Sequence, residues 1–304
     1  SSATSASCLS LMWLLLVPRR ARGKRTPRAI AGSRKTLARW PVSGRSAISR
    51  ACPRARGVER HRVEKLVYVL WKDGSTDSAA FSAALREQLP AQLRGAGASS
   101  IAVNLADADV DYASAQRLTR FDPAPAAVVS FWLEDSDLRE PLEQALHACC
   151  EKLAGYLVVE SLPLVNTTHT AAVGQRTPGT NVIALIECPS AMPYADWVEH
   201  WHTIHRRVAL EVQCTYEYIR NEVVRALTDD APPFNAIVEE GFPTEAVVDP
   251  MLWYCADGSD DKLQENFGRM MESVAAFLEV ARVESHPMSQ YVLDAPLPRN
   301  QDRD

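Results

Sequence analysis

From about residue 64 onward, short alternating apolar runs are separated by stretches of helical periodicity. Lys65 to Asp73 is β-branched and aromatic and predicts a strand. Asp77 then stands where an N-cap belongs, and Ala79 to about Leu93 repeats apolar residues as a helix does, with Gly95 and Gly97 to close it. Ser100 to Val110 and Ala126 to Leu133 predict two further strands, Leu138 to Leu153 a helix, and Tyr156 to Val165 a fourth strand.

A stretch of threonine, glycine and proline from Thr167 to Thr180 interrupts the pattern, which then repeats. Val182 to Cys188 predicts a strand, Pro193 to Val212 a helix, Thr215 to Leu227 and Asn235 to Phe242 two strands, Asp260 to Glu279 a helix and Arg282 to Leu293 a last strand. The order β-α-β-β-α-β, met twice, predicts an α+β fold of two tandem ferredoxin-like units. One such sheet leaves a bare apolar face, so the two units are expected to pack face to face as an intramolecular pseudo-dimer around a barrel-like core. The expected boundaries are 63–166 for the first unit, 167–180 for a linker and 181–295 for the second, with 296–304 a tail.

Charge divides the chain differently. Residues 1–62 hold 15 Lys or Arg and one acid, Glu59, whereas the other 242 residues hold 18 basic and 37 acidic ones. An acidic body repels phosphate backbones, so nucleic acid is not expected as its partner. The apolar run from Cys8 to Val17 is too short to cross a bilayer, and its positive charges follow it rather than precede it, which is the wrong order for export. Residues 1–62 are expected to be a disordered basic extension, either an organelle-targeting peptide or upstream sequence read as coding. The body should be cytoplasmic, with no membrane contact. Seven cysteines without the paired spacing of a zinc site fit reduced thiols in that compartment.

No glycine-rich phosphate loop, serine nucleophile elbow or dinucleotide fingerprint occurs. Candidate chemistry gathers instead in the predicted helix from Pro193 to Val212. On a wheel of 100° per residue centred on Trp201, Tyr194, Trp197, Ile204, Val208 and Val212 fall within about 60° and form an apolar stripe. His205 falls inside that stripe at about +40°, His202 on its flank at about +100°, and His200 on the other side at about -100°. His202 and His205 are therefore expected to face one site, without His200. Tyr216, Tyr218 and Arg220 alternate onto one face of the next strand and could orient a ligand. Trp197 and Trp201 are most simply core packing, although aromatic walls would also suit a flat ligand.

The segment Trp197-Val-Glu-His-Trp-His-Thr-Ile-His205, the strand Tyr216-Glu-Tyr-Ile-Arg-Asn221 and the run Ala236-Ile-Val-Glu-Glu-Gly-Phe242 resemble the EthD family of the dimeric α/β-barrel superfamily. The likeness covers residues 64 to 295 and is fuller in the second unit. In similar proteins the third strand carries an acid and then a Trp-Phe-like pair; Glu239 matches that acid, while Gly241 departs from the aromatic. Ser130 stands at the acid's place in the first unit, whose first helix has no histidine. The resemblance implies a small hydrophobic or aromatic ligand held without metal or other cofactor, for oxygenation, isomerisation or lysis. It casts His205 or His202 as general acid or base with Glu239 as partner, and Trp197, Trp201, Tyr216, Tyr218 and Arg220 as ligand contacts. A non-catalytic ligand carrier or accessory protein is the alternative, and homodimerisation is open.

Overall fold

The computed structural model describes residues 63–294, so the expectations for 1–62 and for the tail lie outside the described residues. Eight strands form a closed, wholly antiparallel barrel in the order β1-β3-β2-β8-β5-β7-β6-β4. They are β1 Glu64–Trp71, β2 Ser99–Leu105, β3 Ala127–Leu133, β4 Lys152–Leu164, β5 Thr180–Ile186, β6 Glu217–Ala226, β7 Ala236–Phe242 and β8 Glu284–Val292. The fold is α+β, consistent with a dimeric α/β barrel closed within one chain. Its halves meet at two seams, β2 with β8 (Asn104 opposite Gln290) and β4 with β6 (Glu160 opposite Asn221). Closure leaves no sheet edge unpaired.

Helix α1 comprises Ser78–Ala83, a π-helical stretch Ala84–Gln88 and Leu89–Gly95, while α2 is Glu140–His147. Asp77 caps α1, accepting from the Ala79 and Ala80 amides at 3.0 Å each. Phe81, Leu85, Leu89 and Leu93 form its buried stripe and pack with Leu142 and Leu146 on the outer face of the first four strands. Each such side chain contributes about 1.5–3 kcal/mol by leaving water.

The second half carries α3, made of Tyr194–Glu199, a π-helical stretch His200–His205 and Arg206–Val212. Two short helices follow, α4 Thr244–Val248 and α5 Pro250–Trp253, and then the long α6 Asp260–Ala275. Asp249 caps α5 by accepting from the Met251 amide at 2.8 Å.

The expected element order holds, with local corrections. Strand β2 ends at Leu105, and a 3-10 helix Ala108–Gln116 takes up the rest of the predicted run. Helix α2 stops at His147, because β4 recruits Lys152 and Leu153 to pair with Trp71 and Leu70. Part of the expected linker is tied to the barrel: the Gly174 and Thr177 amides donate to the Val292 and Gln290 carbonyls at 2.8 Å. Among the described residues no helix is long and apolar enough to cross a membrane.

Candidate functional site

Over most of its extent the sheet is buried on both faces, one by helices and one by the barrel interior, while Val159 of β4 and Val224 of β6 stay exposed. Inside, Val67, Val69, Trp71, Tyr156, Ile183, Leu185, Ile237 and Met288 form an apolar layer. A polar layer also lies within. Lys65 Nζ is 2.5 Å from Glu160 Oε2 and 3.5 Å from Glu239 Oε1, while Asn104 and Asn221 donate to Glu239 at 3.2 and 3.1 Å. Asn181 donates to Asn104 at 2.8 Å. Burial pulls the Lys65 pKa down, but Glu239 and Glu160 outweigh it and hold the ammonium above its usual range.

Glu239 is thus a member of the barrel interior and does not stand beside the histidines, which corrects the expectation. Successive strand residues point to opposite faces, and the acid of β7 that faces the helices is Glu240. Among the described residues no hydrogen-bond donor reaches Glu240, and burial pushes its carboxyl up to about 7.

Helix α3 departs from the wheel as well. Ile204, expected in the buried stripe, is 43% exposed, and Tyr194 is exposed too. The buried side is Trp197, Trp201, Ala209 and Val212, with His205 between them. The π-helical stretch is the cause. Its i→i+5 bonding widens the turn, so residues five apart come round to the same side. His200 and His205 therefore share a face: His200 Nε2 is 3.1 Å from the Ser273 carbonyl, His205 Nδ1 is 3.1 Å from Ser273 Oγ, and both rings lie against Phe277. Burial first, then His200, lower the His205 pKa to about 4, so its imidazole is neutral near pH 7.

His202 turns the other way, toward β6. Its Nε2 lies 3.9 Å from Glu222 Oε2, too far for a hydrogen bond, and is enclosed without a partner. Its ring leans on Trp201 at 4.9 Å. Arg220, only 9% exposed, sets its guanidinium 5.7 Å from the Trp201 ring and donates from Nε to Ser161 Oγ at 3.0 Å, while its Nη1 is enclosed and unpartnered. Burial and the nearby Arg220 lower the His202 pKa, with Glu222 acting against them. Tyr194 donates to Glu222 at 2.7 Å, which joins His202, Arg220, Glu222, Tyr194 and Ser161 into one polar cluster, the His202 notch, against Trp201 and Tyr218. Trp201 Nε1 donates to Tyr218 Oη at 3.0 Å.

Of the predicted ligand contacts, Trp197, Trp201, Tyr218 and Arg220 gather on this side, the first three packed in the core. Tyr216 does not join them. It precedes β6, so the strand alternation does not extend to it; its ring stacks on His169 at 4.1 Å and its hydroxyl donates to the Pro178 carbonyl at 2.8 Å. A Cβ on Gly241 would fall 2.3 Å from that ring. Tyr216 thus fills the space of the aromatic that β7 lacks.

Sequence reasoning missed Glu240, Glu222 and Ser161. It also missed a buried pair inside the barrel, His286 Nε2 at 3.1 Å from Glu284 Oε2. Nothing in the linear pattern around these residues marks them. Among the described residues, no group of three or more His, Cys, Asp or Glu is arranged to hold a metal ion.

No family model matches the chain, and no curated protein does. Solved structures similar to it include an anthrone oxidase-like protein, at TM-score 0.45 and 8% identity, covering 79% of this chain and 98% of that one. A candidate monooxygenase from Fusobacterium nucleatum subsp. nucleatum follows at TM-score 0.41 and 8% identity, covering 75% and 92%. A variant chlorite dismutase from Candidatus Nitrospira defluvii gives TM-score 0.38 and 9% identity, covering 75% and 91%.

Proposed function

We propose that the chain is an EthD-like enzyme of the dimeric α/β-barrel superfamily, built of two tandem ferredoxin-like units. The first unit completes the barrel, and the second acts on a small hydrophobic or aromatic compound without a metal or flavin. One observation carries this reading: His202 Nε2 and Arg220 Nη1 are both enclosed without partners in the same notch. Enclosed polar nitrogens of this kind cost free energy unless something else satisfies them.

His202 has its pKa lowered and is neutral near pH 7, so it can accept a proton from an activated carbon of a substrate. Arg220 would then meet the charge that develops on the neighbouring substrate oxygen, and Glu222 would stabilise the imidazolium. Return of the proton to a second carbon gives isomerisation. Attack of the carbanion on dioxygen, followed by proton return, gives a hydroperoxide and so an oxygenation. Glu240, near neutrality in its titration, is a second group able to exchange a proton on the same side of the sheet.

The test is exchange of activated C–H bonds for deuterium in D2O, followed by NMR over a panel of small aromatic ketones and phenols. Exchange should fall at least about a hundredfold in His202→Gln, in keeping with general-base catalysis. Exchange that is undiminished in a folded His202→Gln protein would falsify this reading.

A second reading, a non-catalytic ligand carrier or accessory protein, is favoured by Trp197, Trp201 and Phe277, which fill the space between α3 and the sheet. It expects saturable binding, weakened in Arg220→Met, with no exchange or conversion.

A further inference from the structure

Where β1 ends and β4 begins, a cleft of about 480 Å³ opens at the seam between the two halves. That volume lies within the range of small-molecule sites, roughly 300–1,000 Å³. Trp71, Phe121, Pro123 and Leu153 supply apolar walls, and Asp122, His147, Glu151, Lys152 and Asp230 the polar ones. Asp230 comes from the loop after β6, so neither half holds the cleft alone. None of these residues belongs to the His202 notch.

The walls are built. Trp71 is buried at the end of β1, and the Phe121 ring meets it nearly edge-on, with centroids 5.4 Å apart at 73°. The Trp71 face is already used by a cation: Lys152 Nζ stands 5.3 Å from its centroid and 3.4 Å from Asp230 Oδ2. Both partners of that ion pair are well exposed, with side chains 44% and 67% accessible. Exposed pairs are worth little, so the ammonium gives up its place at small cost. Three carboxylates, Asp122, Glu151 and Asp230, line the cleft against one ammonium, while the Arg120 guanidinium, 5.5 Å from the Phe121 ring, is paired with Glu187 and Glu284. The cleft therefore has room and counter-charge for a second cation, and an aromatic face with the geometry to hold it.

We propose that this cleft binds a small organic cation with an apolar body, an arylalkylammonium in chemical class. Its ammonium would lie over Trp71 in the place of Lys152 Nζ, facing Asp230, with its body against Phe121, Pro123 and Leu153. A plain apolar pocket would accept the uncharged analogue as well, whereas this site discriminates by charge.

The experiment is calorimetric titration of the full chain with benzyltrimethylammonium, beside benzyl alcohol and benzoate. Saturable 1:1 binding of the cation is expected, at least about fivefold tighter than the alcohol, the scale of a cation–π contact, with no binding of benzoate. Asp230→Asn should weaken the cation several-fold, whereas Lys152→Gln should strengthen it, because the ring face is vacated. Both residues are exposed, so neither variant threatens the fold, and Trp71→Phe, which keeps a weaker aromatic face, should bind less well. His202→Gln should bind as the wild type does, which separates this site from the notch. Equal affinity for the alcohol, preference for benzoate, weaker binding in Lys152→Gln, indifference to Asp230→Asn, or no saturable binding would each overturn the proposal.

Discussion

Helices α1 and α3 can be aligned at the start of their π-helical stretches, five residues long in α1 and six in α3, and the two helix layers diverge at the matching places. Phe81, Leu85 and Leu89 stand in the first where Trp197, Trp201 and His205 stand in the second, and Arg86 stands where His202 does. The sheet diverges with them. Val103 and Phe131, both fully buried under α1 and α2, correspond by strand register to Arg220 and Glu240. The same backbone, with the same π-helical turn, thus supports a hydrocarbon core in one half and a charged notch in the other. A π-helical stretch often marks a functional site, but here it positions side chains in both halves, and only the residue choice in α3, β6 and β7 sets polar and charged groups beside it.

The largest effects should come from residues that both halves share. Lys65→Met leaves Glu160 and Glu239 without their cation and should cost about 3–5 kcal/mol in urea unfolding; adding Glu239→Gln should recover part of it. Trp201→Ala should cost about 3–5 kcal/mol and Leu85→Ala, its counterpart, about 2–5. Both should lower one common transition, since the barrel closes through both halves; two separate transitions would break the comparison.

Glu240→Leu makes the second half more like the first. The Glu240 carboxyl is raised to about 7, so the folded state resists ionisation. Its neutral form is favoured fully below the unfolded carboxylate range near 4.3, and that stability is lost as pH rises to about 7. The variant should gain Tm at pH 8 and show much less gain at pH 4. His205 works in the opposite sense. With its pKa lowered to about 4, it contributes stability above about pH 6.5 that is lost as pH falls toward 4, and His205→Leu should flatten that acid limb of a Tm-against-pH curve. The smallest effect is expected for Arg86→Met, which removes the cation over the Tyr291 ring. Stability should fall by about 1 kcal/mol or less, with ligand binding at the second-half notch unchanged.

Strand and helix order was legible in the sequence because each short element keeps its own period, as Phe81, Leu85 and Leu89 do in α1. The candidate site was legible only to the level of its helix. A wheel at 100° per residue put Ile204 inside and set His205 beside His202, and the π-helical stretch reverses both. The pair Glu239-Glu240 hid a different ambiguity. Where both faces of a strand are buried, apolar residues fill both, and no alternation tells which of two neighbouring acids faces the helices. The cleft under Trp71 had no linear signature, because Asp230 arrives from the other half of the chain.

Closure of the barrel within one polypeptide also frees it from mass action. A barrel assembled from two identical chains dissociates on dilution, and its symmetry repeats every substitution in both copies. Here the β2–β8 and β4–β6 seams are held at a fixed effective concentration by covalent linkage. Each half can change without dictating the other, which is the condition under which one helix layer keeps an apolar stripe while its twin acquires charge.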